Sequence, residues 1–227
     1  MPYSSQDYLI IFDADGTLID AFDAIRLAFG AHGMDLGDLE RFQKRHKIFK
    51  YLGGIKELPK NLTRQLTTNS RKRLLATLTG VYREQAALYP GVAGLINDLL
   101  AVKDVRVALV TRNVCNEPEK TLTQLFRRHD IDLSRLDMLH FIPLGEDKAK
   151  YFRLTRERLG INPARVLVCG DEHRDYAAAL AAGAQPLIAA YGFEDQTRLV
   201  KKFAVPEEVI CADSPMLCAR VRHTLAI

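Results

Sequence analysis

Ile10-Ile11-Phe12-Asp13-Ala14-Asp15-Gly16-Thr17-Leu18 is an apolar run that ends in two acids and a Gly-Thr pair. From Tyr8 to Phe12 there is almost no polar alternation, the pattern of a strand covered on both faces. A strand ending in acids delivers Asp13 and Asp15 to the carboxyl edge of a sheet, where open α/β folds place their chemistry. Gly16 frees the backbone to turn away sharply, and Thr17 adds a hydroxyl and an N–H at that edge. Alone, an Asp-Gly pair after a strand is an ordinary turn. Acidic and basic signals further along give it another meaning.

C-terminal to Leu18 the apolar spacing becomes helical. Ala21 to Phe29 reads as a helix that Asp20 can cap and Gly30 or Gly33 can end. From there to about Leu88 the patterns are helical, broken at Leu52-Gly53-Gly54 and at Leu58-Pro59-Lys60-Asn61, and closed by one long helix from Ser70 to Leu88 with a mild interruption at Gly80. Tyr89-Pro90-Gly91-Val92 is a turn. Beyond it helix and strand alternate: a helix over Val92–Val102, a strand over Val105–Val110 ending at Thr111-Arg112-Asn113, and a helix from Pro118 to about His129. A strand over Met138–Ile142, a helix over Lys148–Leu159 stopped by Gly160, and a strand over Arg165–Asp171 follow. Last come a helix over Tyr176–Ala182 and strands over Gln185–Ala190 and Val209–Cys211. This alternation predicts an α/β fold, a Rossmann-like parallel sheet with helices on both faces. The all-helical stretch interrupts it as an inserted domain, so the expected organisation is a core of residues 1–19 and 89–227 with a helical insertion at 20–88.

Composition bounds the possibilities. The chain has 227 residues, 48% hydrophobic and 26% charged, which suits one large globular domain or a domain with an insertion. No apolar run approaches the roughly 20 residues that span a bilayer, and the N-terminus lacks the basic and apolar regions of a signal peptide; cytoplasm is the expected compartment. Cys115, Cys169, Cys211 and Cys218 form no Cys-x-x-Cys pair, which argues against a zinc site or disulfide framework. The net charge of +4 is uneven: Arg41 to Leu75 holds eleven Lys or Arg residues against one acid, Glu57. Such a field attracts anions, although most charge runs are solvated helix surface.

Four chemistry-bearing signals fall at or beside strand ends or helix starts. They are Asp13 with Asp15, then Thr111, then Lys148, then Gly170-Asp171-Glu172-His173-Arg174-Asp175. In this order and spacing they resemble the four motifs of the haloacid-dehalogenase-like hydrolase superfamily, whose first motif is Asp-x-Asp-Gly-Thr. The resemblance spans essentially the whole core and is closest to phosphoglycolate-phosphatase-like members with a helical cap, with Tyr191-Gly192-Phe193 resembling a glycine turn of that group. The first and fourth motifs are specific; the Thr and Lys motifs gain weight from position.

The resemblance implies a Mg²⁺-dependent phosphatase of a small phosphomonoester. Asp13 would attack phosphorus to form an aspartyl phosphate, and Asp15 would protonate the leaving alcohol and later deprotonate water. Members that cleave carbon–halogen or phosphonate bonds lack an acid at the position of Asp15, so its presence favours phosphate esters. Thr111 would bind the phosphate through its hydroxyl, helped by the N–H of Arg112. Lys148 would pair with phosphate and Asp13; Lys150 competes for this role, with Lys148 preferred because it lies nearer the helix start. The metal ligands implied are Asp13, the main-chain carbonyl of Asp15, Asp171, and Asp175 as a ligand or as a group that orients one. Asp171 and Asp175 could equally be a helix-capping pair. His173 is expected to face solvent, and Arg174 to be solvated or ion-paired.

The cap would contact the substrate, with Arg41, Lys44, Arg45, Lys47, Lys50 and Lys56 as candidates to meet a second anionic group. The expected partner is a small phosphorylated metabolite, with no specific nucleic acid, no membrane, and a monomer or small homo-oligomer. Two alternatives use the same core: a phosphomutase, and a non-catalytic phosphate-binding regulatory protein.

Overall fold

The computed structural model describes Tyr3 and residues 6–44, 68–143 and 145–227. Strands β1 (Tyr8–Phe12), β2 (Val105–Thr111), β3 (Met138–Phe141), β4 (Val166–Gly170), β5 (Gln185–Ala189) and β6 (Ile210–Cys211) form one sheet in the order β3-β2-β1-β4-β5-β6. Every neighbouring pair is parallel. The fold class is thus the expected parallel α/β sheet.

The period of two along each strand sorts the core into two layers. Ile10, Phe12, Val107, Leu109, Leu167 and Cys169 face one layer, which holds helices α1 (Ala21–Gly30), α3 (Thr68–Glu84), α4 (Val92–Ala101), α5 (Pro118–Arg127) and α9 (Ser214–Leu225). Leu9, Ile11, Ala108, Val110, Val166 and Val168 face the other, against α6 (Lys148–Arg158) and α7 (His173–Ala181). Because β1 is covered on both sides, Leu9 to Phe12 are all buried. Each such side chain contributes roughly 1.5–3 kcal/mol relative to exposure.

Between β1 and α4 the described residues hold α1, α2 (Leu39–Lys44) and α3, and no strand. Asp20 caps α1 by accepting the N–H of Asp23 at 3.0 Å, and α1 packs against α3. The two chain segments that leave and re-enter the sheet bond to one another: Asp20 N–H donates to Ala87 O and Tyr89 N–H to Leu18 O, each at 2.9 Å. This pairing ends α3 at Glu84, short of the Leu88 expected from sequence, and the helix runs unbroken through Gly80. The breaks at residues 52–54 and 58–61, together with Arg45, Lys47, Lys50 and Lys56, lie outside the described residues, as do the side chains of Arg41 and Lys44.

Two helices went unread in the sequence, α8 (Gln196–Phe203) and α9, although each begins at an Asp cap, Asp195 and Asp213. Helix α7 starts at His173, three residues before the expected Tyr176. The side chain of Asp175 supplies the reason: it accepts the N–H groups of Asp171 and Glu172 at 3.2 and 3.1 Å and so seeds the first turn.

Candidate active site

From β1 the chain moves to β2 and β3 on one side, then crosses to β4 on the other. The connections therefore diverge between β1 and β4, and in open α/β sheets a crevice forms at the carboxyl ends of such strands. Asp13 follows β1 and Asp171 follows β4 at this point. The N–H of Asp13 donates to Cys169 O at 2.8 Å, which locks the two strand ends together.

Lys148, at the first position of α6, reaches back across this edge. Its ammonium lies 2.6 Å from Asp13 Oδ2 and 2.5 Å from Asp175 Oδ1, with the lysine side chain only 2% exposed. Burial alone would push the ammonium pKa down; the two carboxylates override it and hold it above its ordinary value. Lys150 is exposed and pairs instead with Glu146 at 3.2 Å. Of the two lysines, Lys148 is the one beside Asp13.

Oxygens of Asp13, Asp171 and Asp175 lie within 4.8 Å of one another. Asp171 is fully buried; its Oδ2 accepts the N–H of Phe193 at 2.7 Å and its Oδ1 the hydroxyl of Thr17 at 3.5 Å. Neither donor is a cation. Burial, reinforced by the charge of Asp13, pushes the Asp171 carboxyl well above its ordinary range, and burial also raises Asp13 against the pull of Lys148. Asp13 and Asp175 share the single ammonium while Asp171 has none among the described residues, and this cluster of carboxyl oxygens fits a hard divalent cation. Backbone closes in around it: a Cβ on Gly16 would fall 2.1 Å from Asp171 Oδ2, and one on Gly192 would fall 2.4 Å from the same oxygen. Gly16 also has φ +81, which disfavours a side chain on conformational grounds.

Asp15 does not join that cluster. Its Oδ1 accepts the Tyr82 hydroxyl at 2.8 Å, and the Asn113 amide spans its Oδ1 and Oδ2 at 3.3 and 3.0 Å. Burial, and next the charge of Asp13, push its pKa up to about 7. A carboxyl poised there can both give and take a proton at neutral pH. Thr111 ends β2, where Leu109 is in register with Phe12, so it emerges at the same sheet edge. Its hydroxyl is buried and has no hydrogen-bond partner among the described residues, an acceptor-seeking group waiting at the crevice. The Arg112 guanidinium turns away to Glu146 O at 2.7 Å and so ties the strand end to the loop that carries Lys148.

A family model described as haloacid dehalogenase-like hydrolase matches residues 9–183, from β1 to the end of α7. The chain belongs to the haloacid dehalogenase-like hydrolase family. A phosphoglycolate phosphatase of Aquifex aeolicus (strain VF5) is 28% identical over 192 residues, covering 82% of this chain and 85% of the relative. Among solved structures, a hydrolase from Pseudomonas syringae superposes with TM-score 0.64 at 21% identity, over 96% of this chain and 98% of that one. A Thermotoga maritima protein provisionally assigned as a beta-phosphoglucomutase does so with TM-score 0.63 at 21% identity, over 95% and 99%. At such identities the two structures speak for the fold alone.

Within this haloacid dehalogenase-like site, sequence reading missed two groups that touch Asp15. Tyr82 lies in the insertion, with no motif to mark it; Asn113 sits two residues past Thr111, where the strand signal has ended. His173 is a correction. It is partly exposed but not free in solvent: its Nδ1 shares a hydrogen bond with Glu194 Oε1 at 2.9 Å, its backbone N–H donates to Glu194 Oε2 at 2.6 Å, and its ring stacks on Phe203 with centroids 3.6 Å apart. Glu194 is 1% exposed, so this contact pins the loop after β5 to the start of α7. Arg174 is exposed, as expected.

Proposed function

We propose that the chain is a Mg²⁺-dependent phosphatase of a small phosphomonoester that works through an aspartyl phosphate on Asp13. The observation that carries this reading is the ammonium of Lys148 at 2.6 Å from Asp13, beside a second acid, Asp15, poised near neutrality. Asp13 is the nucleophile: as its oxygen bonds to phosphorus, the ester P–O bond breaks. Asp15 gives its proton to the departing alcohol oxygen, then takes one from the water that attacks the aspartyl phosphate, whose hydrolysis restores both acids and frees phosphate. Thr111 hydroxyl and the Arg112 N–H bind phosphate oxygens, and Lys148 offsets their charge while orienting Asp13. Asp13, the carbonyl of Asp15, and Asp171 hold the metal, with Asp175 orienting Lys148 and the strand end. Bound there, Mg²⁺ supplies charge neutralisation that lets an anionic nucleophile meet an anionic phosphate.

Residues 20–88 form the cap and residues 1–19 and 89–227 the core in this reading. The cap meets the alcohol portion of the ester and excludes water. Phosphoglycolate is the first ester to try, because it names the activity of the Aquifex aeolicus relative. No helix among the described residues is long and apolar enough to cross a membrane, and the four cysteines are buried free thiols; both accord with the cytoplasm as the place of action.

The test is phosphate release from a panel of phosphomonoesters with Mg²⁺, with EDTA, and with Asp13→Asn. Release should require the metal and fall by about 10⁴-fold or more in the variant. Transfer of phosphate to a second hydroxyl without free phosphate would replace the phosphatase by the mutase reading. Release that persists in Asp13→Asn would remove Asp13 as nucleophile.

A further inference from the structure

Asp15 must hold one orientation to serve an alcohol, yet nothing on its own loop bonds its carboxyl group. Among the described residues, the two side chains that do so, Tyr82 and Asn113, come from elsewhere. Tyr82 is 1% exposed, deep in α3, and its hydroxyl donates to Asp15 Oδ1 at 2.8 Å. Asn113 is fixed in turn, because its Oδ1 accepts the N–H of Cys115 at 2.9 Å, which points its Nδ2 at Asp15.

The end of α3 that carries Tyr82 is bound to the sheet-side helices. Arg128 donates to the carbonyls of Tyr82 and Ala86 at 3.2 and 2.6 Å. Arg83 bonds Thr121 Oγ1 at 3.1 Å and Glu117 at 2.9 Å, and the N–H of Asn116 donates to Thr79 Oγ1 at 2.9 Å. Tyr82 therefore shares a rigid frame with Asp15, although its sequence position lies in the insertion.

We propose that Tyr82 and Asn113 are positioning residues that hold the carboxyl group of Asp15 on the line of the departing alcohol, Tyr82 by occupying Oδ1 and thereby leaving the transferable proton to Oδ2. Oδ1 accepts from both side chains and Oδ2 from one, so the less engaged oxygen is the one that protonates. The proton moves from Oδ2 to the ester oxygen while the P–O bond breaks and the Asp13 oxygen bonds to phosphorus. Neither Tyr82 nor Asn113 gains or loses a proton. This rests on the phosphatase reading above and adds to it what makes the acid effective.

Leaving-group dependence separates positioning from a structural role. An unactivated alkyl ester needs the proton, whereas the nitrophenolate of p-nitrophenyl phosphate departs without it. The quantity to compare is kcat/KM, which reports events through departure of the alcohol, for the best alkyl phosphate of the panel and for p-nitrophenyl phosphate. Tyr82→Phe keeps the ring and removes only the donor. It should lower kcat/KM for the alkyl ester roughly 10- to 100-fold, part of the 10²–10⁴ that a general acid supplies, and change the aryl ester less than about threefold. Asn113→Ala should show the same selectivity, and it carries the test alone should Tyr82→Phe fail to fold. Equal losses for both esters, or none for either, would overturn the inference while leaving the phosphatase intact. A wild-type enzyme that hydrolyses neither ester would overturn both.

Discussion

Lys148 is the residue on which the electrostatics of the site turn. Its Nζ lies within 2.6 Å of two carboxylates that otherwise face each other in a buried crevice. Breaking a buried pair by removing one partner costs about 3–5 kcal/mol, so Lys148→Ala should both lose at least about a hundredfold in turnover and melt lower in EDTA, with Mg²⁺ recovering part of the melting loss but not the turnover. Lys150→Ala, at an exposed side chain that pairs with Glu146 and lies over the Tyr151 ring, should change neither by a measurable amount; thermal melts and phosphate-release assays on the two variants decide between the lysines. The acids and Thr111 were legible because each closes an apolar strand, and order along the chain then gave Lys148 its meaning. Tyr82, Asn113 and Glu194 were not. A tyrosine in a helix, an asparagine in a loop and a buried glutamate carry no local pattern that says which distant side chain they will meet.

The elements that matter most to the site are short connections after strands. The turn after β5 brings Gly192 against Asp171, and α2 reaches the same turn through Gln43, whose Nε2 donates to Gly192 O at 2.7 Å. A Cβ at Gly192 would lie 2.3 Å from Gly16 O and 2.4 Å from Asp171 Oδ2. Gly192→Ala must therefore push Asp171 or the first turn aside, and the expected result is a roughly 10- to 100-fold weaker apparent affinity for Mg²⁺, read as a rise in the concentration giving half-maximal activity. Strands β1, β2 and β4 were readable because doubly covered strands are continuous apolar runs; β3, half-buried along its length at the sheet edge, and β5, which opens on Gln185 and Pro186, carry shorter apolar runs, and the ends of all five lie within two residues of those expected. Helices α8 and α9 each begin at an Asp cap, but α8 is only eight residues long and buries Leu199 alone, so its apolar stripe is short. The early start of α7 was hidden for a different reason: Asp175 bonds backward to Asp171 and Glu172, and the same residue reads equally well as a metal ligand.

At the scale of the molecule, the buried acids of the crevice, Asp15 and Glu172 beside the Asp13–Asp171–Asp175 cluster, link stability to pH. With pKa values raised to about 7, Asp15 and Glu172 bind more protons folded than unfolded, burial being the main cause in each. Their neutral forms favour the fold, so their contribution is complete below about pH 4 and is lost as pH rises toward 7. Asp13 and Asp171 shift in the same direction. In EDTA the contribution of these acids to the melting temperature should fall from pH 5 to pH 8, and the gain from added Mg²⁺ should widen over that interval; a gain that is flat with pH would show that these acids are already ionised without metal. The central place of β1 has a consequence in time. β1 precedes both of its sheet neighbours in the chain and finds them only when synthesis has passed residue 111 and then residue 170. Until then Leu9-Ile10-Ile11-Phe12 is a sticky strand with two open edges, a target for chaperones and a seed for aggregation. Asp13, the proposed nucleophile, is thus made well before the sheet edge around it is complete, so a chain stalled short of Asp171 carries Asp13 without the site built against it.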